Sequence, residues 1–210
     1  MKICTVVTTR SKSCSVKTLH TILRLNINCM QQNVQNEILY VNDDPFEKIE
    51  MIEKCLPRCD RVFFIDFGIG VDEDSVKQIF ENHEGIGVLV FPGVKEGIDW
   101  DLFKQKVRSD ECLEPTSQMG LHFDTEVSKK ISKDIYSVIN TEAKSWVMFS
   151  KNVMKNAKDK RGNFSLHVKM FDKLKECGVK IYAFTASKLT MTYSHECVSN
   201  ILNAAGVKAN

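Results

Sequence analysis

The chain has 210 residues, of which 43% are hydrophobic and 27% are charged, proportions typical of a folded globular protein and not of a disordered or fibrous one. Its 29 Lys and Arg residues against 27 Asp and Glu residues leave a net charge of +2, which argues against nucleic acid or an anionic membrane as the main partner. No apolar run approaches the roughly 18 residues of a membrane span, so no membrane insertion is expected.

The first half of the chain predicts strands that alternate with helices. Four segments are runs of apolar and β-branched residues, a pattern typical of buried strands, and they cover residues 2–8, 37–41, 61–66 and 85–91. Apolar residues at helical spacing follow the first two segments, and Asp72 or Asp74 would cap a helix after the third. This alternation predicts an α/β fold with a mostly parallel, mixed central sheet flanked by helices.

The second half of the chain is less regular. Strands are predicted over residues 120–127, 145–149 and 179–184, but long polar connections separate them. Because the length suits one domain, we expect residues 1–210 to form a single domain in which the second half extends the same sheet.

The cysteines indicate a reducing compartment. All eight are scattered singly, mostly within apolar segments, which favours buried thiols over a disulfide framework. Cys55 and Cys59 are close in sequence, but no second pair stands at metal-ligand spacing, so we interpret them as buried thiols and not as zinc ligands.

The apolar run that opens the chain is too short for the core of a signal peptide. A cytoplasmic protein is the expectation.

Polar side chains follow the first three predicted strands, at the edge where open α/β sheets bind ligands. The candidates are Thr8, Thr9, Arg10, Asp43, Asp44 and Asp66. One alternative is that Asp66 caps a turn and Asp43 caps the helix after Pro45. Three carboxylates in register along one edge favour a ligand site instead.

Two common nucleotide-binding signatures are absent from the sequence. The first strand is followed by TTRSKS and not by G-x-G-x-x-G, and no P-loop occurs in the chain. The triplet Asp66-Phe67-Gly68 matches a kinase metal motif, but no His-Arg-Asp loop accompanies it. The sequence therefore argues against a dinucleotide-dependent dehydrogenase, and we interpret the kinase triplet as a chance match.

Several segments resemble the GT-A fold glycosyltransferases. RVFFIDFGIGVDEDSVKQIF is similar to the family segment in which an apolar strand ends in Asp-x-Asp before a short connection and a helix. Three further segments follow in the family's order: GIGVLVFPGVKEGIDWDLF, KSWVMFSKNVM and FSLHVKMFDKLKECGVKIYAFTASKLTMTYSHE. The resemblance implies a nucleotide-binding half over residues 1–93 and an acceptor-side half over residues 94–210. It extends to viral members of the family, for which the cytoplasm would be that of the host.

The resemblance also implies a reaction and its cofactors. A hexose would pass from a UDP-sugar donor to a hydroxyl of a carbohydrate acceptor, with Mn²⁺ or Mg²⁺ stabilising the departing diphosphate. Asp66 and His195 would be metal ligands, and the imidazole of His195 favours Mn²⁺. Thr8, Thr9 and Arg10 would donate to the nucleotide. Asp43 or Asp44 would accept from uracil or ribose.

The sequence departs from the family pattern at two places. Gly68 stands where the second aspartate of Asp-x-Asp is usual, and Leu166 and His167 stand where many inverting members carry a Glu-Asp pair that supplies the base. Without that carboxylate, transfer with retention of configuration is favoured, and His167 remains the candidate catalytic residue. The alternatives are a carbohydrate-binding or scaffold domain without catalysis, and a sugar nucleotidyltransferase, which would need a glycine-rich loop after the first strand.

Overall fold

The computed structural model describes residues 1–95, 98–109, 119–157, 165–187 and 190–191. The strands in these ranges are β1 (Lys2–Thr9), β2 (Gln35–Asn42), β3 (Arg61–Ile65), β4 (Ile69–Gly70), β5 (Val88–Val90), β6 (Thr125–Ser132), β7 (Ile135–Thr141), β8 (Ser145–Phe149), β9 (Ile181–Phe184) and β10 (Thr190–Met191). The helices are α1 (Val16–Gln31), α2 (Pro45–Cys55), α3 (Glu73–Gln78), α4 (Trp100–Arg108), α5 (Ser150–Asn156) and α6 (Met170–Glu176), with a short 3₁₀ helix at Leu56–Arg58.

Eight of the described strands form one sheet, in the order β2-β1-β3-β8-β5-β9-β7-β6. β1 pairs in parallel with β2 and β3, and β5 pairs in parallel with β9, whereas β8 runs antiparallel between β3 and β5. β7 pairs antiparallel with β9, and the antiparallel hairpin of β7 and β6 forms one edge of the sheet. The sheet is mixed and flanked by helices, which confirms the predicted α/β class. It was expected to be mostly parallel, but four of the seven pairings between its described strands are antiparallel, because β8 and the hairpin of β6 and β7 run against their neighbours.

Side chains of the central strands alternate between two core layers, as the two-residue period of a strand requires. On β3, Val62 and Phe64 contact the layer that contains residues of α2, α5 and α6, whereas Phe63 and Ile65 contact the layer that contains residues of α1 and α3. All four side chains are buried. With helices on both faces, the loops that follow the parallel strands β1, β2 and β3 meet at one edge of the sheet.

The hairpin of β6 and β7 corrects the sequence analysis. A strand was expected over residues 120–127, but β6 begins at Thr125, and β7 was not predicted. The reason is that most residues of β6 are exposed at the edge of the sheet, so its lysines and serines break the apolar pattern by which buried strands are recognised. Asp134, with a φ of 60°, forms part of the turn between the two strands.

The described cysteines are free thiols: Cys4, Cys14, Cys29, Cys55, Cys59 and Cys177. Burial raises the pKa of Cys55 and of Cys59 to about 12 each. Such thiols stay protonated near neutral pH and are poor nucleophiles. Among the described helices, none combines the length and the apolar character that crossing a bilayer would require.

Candidate active site

Asp66 lies directly after β3, in a turn that fixes its position. Its backbone N–H donates to the carbonyl of Lys144, and the N–H of Ile69 donates back to the carbonyl of Asp66 at 3.3 Å. Gly68 has a φ of 79° in this turn, a conformation that L side chains adopt at a steric cost. The departure from Asp-x-Asp therefore has a local reason, because an aspartate at this position would strain the turn.

The loop after β2 gives its two aspartates different roles. Asp44 is the N-cap of α2, since its carboxylate accepts from the N–H groups of Phe46 and Glu47, both at 2.9 Å. Asp44 rather than Asp43 is thus the helix cap, which corrects that alternative of the sequence analysis. Asp43 is left free to interact with side chains at the sheet edge.

Four charged side chains meet at this edge, and we call Arg10, Asp43, Lys48 and Asp66 the edge cluster. Lys48 Nζ lies 2.5 Å from Asp43 Oδ1 and 3.2 Å from Asp66 Oδ1. Arg10 Nε lies 2.7 Å from Asp43 Oδ2. Burial raises the pKa of Asp43, but the hydrogen bonds from Lys48 and Arg10 outweigh burial and hold that pKa below its ordinary value.

Lys48 was not predicted from the sequence. It lies in the first turns of α2, where the positive end of the helix dipole disfavours a cation, and its side chain is only 17% exposed. A lysine at such a position needs nearby carboxylates to offset that repulsion. A lysine near the N-terminus of a helix is therefore the feature by which the sequence could have indicated Lys48 as a site residue.

The loop after β1 brings Arg10 over the loop after β3. Ser11 and Lys12 have φ values of 50° and 59°, and the ends of this tight turn are joined by two backbone hydrogen bonds between Arg10 and Ser13. The guanidinium of Arg10 lies 5.1 Å from the ring centroid of Phe67, within the range of a cation–π contact. Arg10 therefore places a positive charge beside Phe67 and Asp43 at this edge of the sheet.

The two predicted threonines lie deeper than Arg10. The Thr9 hydroxyl donates to the carbonyl of Val41 at 3.1 Å. Thr8 is fully buried, and its hydroxyl has no hydrogen-bond partner among the described residues. Of the residues predicted to donate to a nucleotide, Arg10 is exposed, Thr9 is half-buried with its hydroxyl bonded to Val41, and Thr8 is buried.

A cavity of about 550 Å³ opens beside the edge cluster. Phe64 and Trp146 are part of its apolar lining, and their stacked rings have centroids 5.0 Å apart. Its charged lining residues are Lys48, Asp66, Glu142, Lys144, Lys169 and Asp172. A partly apolar lining with a few convergent polar groups is typical of a site for a small polar molecule. The residues that line this cavity fall within residues 45–66 and 140–172 of the chain.

His167, one of the two predicted histidines, is not part of the edge cluster. His167 is exposed, and although its neighbour Val168 lines the 550 Å³ cavity, His167 itself does not. The backbone N–H of Leu166 donates to the carboxylate of Glu53 on α2, which fixes this segment. His195 lies outside the described residues.

Asp66 has one side-chain oxygen that could bind a divalent cation. Its side-chain contacts in the described part of the chain are made by Oδ1, to Lys48 and to the Phe67 N–H, so Oδ2 is available as a hard oxygen donor. No group of three or more His, Cys, Asp or Glu side chains within the described ranges is arranged to hold a metal. A divalent cation bound at Asp66 would therefore have to take most of its ligands from water or from a bound anion.

A further buried carboxyl, Asp124, was not predicted. It lies beside the loop after β5, where one of its oxygens accepts from the Gly93 N–H and the Thr125 hydroxyl while the other has no partner among the described residues. Burial raises the pKa of Asp124 above its ordinary value despite these two bonds. Its contacts show that it holds the chain after β5 against β6.

No protein-family model matches the sequence. No curated protein matches it either. Among solved structures, the chain is similar to a Drosophila β-1,4-galactosyltransferase 7 mutant in complex with manganese, UDP-Gal and xylobiose, with a TM-score of 0.47, 10% identity, and coverage of 94% of this chain and 73% of that one.

Two other solved structures are similar at the same level. For GalNAc-T7 with UDP, GalNAc and Mn²⁺, the TM-score is 0.49 at 10% identity, over 91% of this chain and 44% of that one. For the inositol-1-phosphate CTP transferase of T. maritima, the TM-score is 0.46 at 8% identity, over 98% of this chain and 95% of that one. Because these similarities are low, a function for this chain has to be argued from its own site.

Proposed function

We propose that this chain is a glycosyltransferase of GT-A type that moves a hexose from a UDP-sugar to a hydroxyl of a carbohydrate acceptor. The observation that carries the proposal is the edge cluster, which brings two cations and two carboxylates together beside the carboxyl ends of β1, β2 and β3. Two of its members, Lys48 and Asp66, also line the 550 Å³ cavity. This combination suits a molecule with a charged diphosphate and an uncharged, hydroxyl-rich sugar.

Each member of the edge cluster has a role in this proposal. Arg10 and Lys48 bind diphosphate oxygens, and Asp43, held ionised by both cations, accepts a hydrogen bond from the uridine. The hexose and the acceptor occupy the cavity, where Glu142 and Asp172 accept from sugar hydroxyls. Asp66 would hold a divalent cation, Mn²⁺ or Mg²⁺, with His195 as a second candidate ligand. When bound, that cation would neutralise charge on the diphosphate.

We infer transfer with retention because Leu166 and His167, at the two positions where a base was looked for, do not line the cavity. The carboxylates that do line it, Glu142 and Asp172, bind sugar hydroxyls in this proposal. In a front-face reaction the bond from the anomeric carbon to the diphosphate breaks, the acceptor oxygen bonds to the same face, and its proton passes to the departing diphosphate oxygen. The protein then supplies positioning and charge rather than a base. The rival nucleotidyltransferase is disfavoured because the loop after β1 contains no glycine.

The proposal is tested by incubating the protein with a panel of UDP-hexoses and simple sugar acceptors in the presence of Mn²⁺. We expect UDP release that depends on the acceptor, measured with a coupled assay. If calorimetry showed ligand binding but no transfer occurred, the result would favour the alternative of a carbohydrate-binding or scaffold domain without catalysis. Release of pyrophosphate from a nucleoside triphosphate and a sugar phosphate would identify a nucleotidyltransferase.

His167→Ala is expected to lower turnover by less than about tenfold, whereas removal of a general base costs roughly 10²–10⁴-fold. His167 is exposed and does not line the cavity, so it is not placed to take a proton there. The product formed by the variant, analysed at once by NMR, should show the anomeric configuration of the donor. An inverted product together with loss of turnover would make His167 the base and the reaction inverting.

A further inference from the structure

Lys48 occupies a central position in the edge cluster. Its ammonium contacts Asp43 and Asp66, which follow two different strands, at 2.5 and 3.2 Å. The side chains of Lys48 and Asp66 are both 17% exposed, so water screens this contact less than it screens an ion pair at the surface. Lys48 is therefore the counter-ion of the same carboxylate that would bind a divalent cation.

Two cations next to one carboxylate repel each other when no anion separates them. A divalent cation on Asp66 Oδ2 would share its carboxylate with the ammonium on Oδ1, and the low exposure of the site would keep that repulsion strong. The negative charge of a diphosphate relieves the repulsion, because its oxygens can contact both cations. Metal binding at Asp66 should thus depend on the nucleotide.

Lys48 is also the cation best placed to receive the diphosphate. It lines the 550 Å³ cavity together with Asp66. Arg10 is more exposed, at 58%, and its guanidinium is engaged by Asp43 and by the ring of Phe67. Because Lys48 has two carboxylate partners, it can turn from Asp66 to a phosphate oxygen and keep its contact with Asp43.

We propose that Lys48 binds the donor diphosphate and, in the free protein, competes with divalent metal for Asp66, so that nucleotide and metal bind cooperatively. This inference rests on the proposed function, since it assumes a nucleoside diphosphate at this edge. It makes Lys48 a substrate-binding residue with opposite effects on two ligands. A purely structural ion pair would not produce that opposition.

The test is isothermal titration calorimetry of wild type and Lys48→Met with three titrants: MnCl₂ alone, UDP in EDTA, and UDP with Mn²⁺. A hydrogen bond to a charged group corresponds to roughly tenfold in affinity, so we expect the variant to bind UDP about tenfold more weakly in EDTA. It should bind Mn²⁺ alone about tenfold more tightly, because Asp66 loses its ammonium partner. Thermal unfolding monitors the fold of each protein.

Lys77→Met is the matched control. Lys77 also contacts two carboxylates, Glu73 at 3.3 Å and Asp74 at 3.2 Å, but on the exposed surface of α3, and its replacement should change neither affinity. If wild type binds UDP and Lys48→Met matches it for both ligands, the inference about Lys48 is wrong while the proposed function stands. If wild type binds no UDP under any condition, the proposed function fails and this inference fails with it.

Discussion

Asp66→Asn should lower the affinity for UDP in the presence of Mn²⁺ by about tenfold or more. The amide oxygen of asparagine is uncharged and is a poorer ligand for a hard cation than a carboxylate oxygen. Gly68, two residues further on, offers no side-chain oxygen, and no group of three or more ligand side chains is assembled within the described ranges. Calorimetry with and without Mn²⁺ measures the effect.

The residual affinity of this variant is informative. Since Lys48 and Arg10 remain, UDP binding in EDTA should be retained. The variant should lose the gain in UDP affinity that Mn²⁺ produces in the wild type. Asp74→Asn is the control, because Asp74 is an exposed carboxylate that pairs with Lys77 on α3. An unchanged UDP affinity of Asp66→Asn in Mn²⁺, with a native circular dichroism spectrum, would refute the role of Asp66 in metal binding.

Trp146→Ala is expected to destabilise the fold by about 3–5 kcal/mol. The Trp146 side chain is 1% exposed, stacks on Phe64 at 5.0 Å and meets Phe171 edge-on at 6.2 Å. Its removal deletes a large apolar area and leaves a void that these rigid neighbours fill poorly. This loss is a large part of the 5–15 kcal/mol typical of a whole domain. Urea unfolding followed by circular dichroism measures it.

Trp100→Ala provides the comparison, because Trp100 begins α4 with a side chain that is 48% exposed. Its replacement should change the free energy of unfolding by no more than about 1 kcal/mol. If Trp146→Ala were equally mild, the layer formed by α2, α5 and α6 would have to collapse around the missing ring. That result would contradict the rigid aromatic packing beside the cavity.

Part of the candidate site could be predicted from the sequence. Asp66 was expected at the tip of a buried strand, and β3 does end at Ile65, because an apolar run followed by a carboxylate marks the point where a chain leaves the core. The sequence could not predict that Asp44 would cap α2 while Asp43 would pair with Arg10 and Lys48. Both residues suit a cap, and only the backbone conformation at Asp44 decides which one accepts from the N–H groups of α2.

By itself, the sequence determined the α/β class, the strands β1, β2, β3, β8 and β9 to within about two residues, and the edge at which polar residues would collect. These features follow from local periodicity and from burial, which each segment carries in its own residues. The placement of β8 between β3 and β5, and the addition of an exposed hairpin, were decided by the tertiary structure. The tertiary structure also decided the contact between Lys48 and Asp66. Such pairings and contacts depend on how the connections between strands cross the sheet, and local sequence patterns do not contain that information.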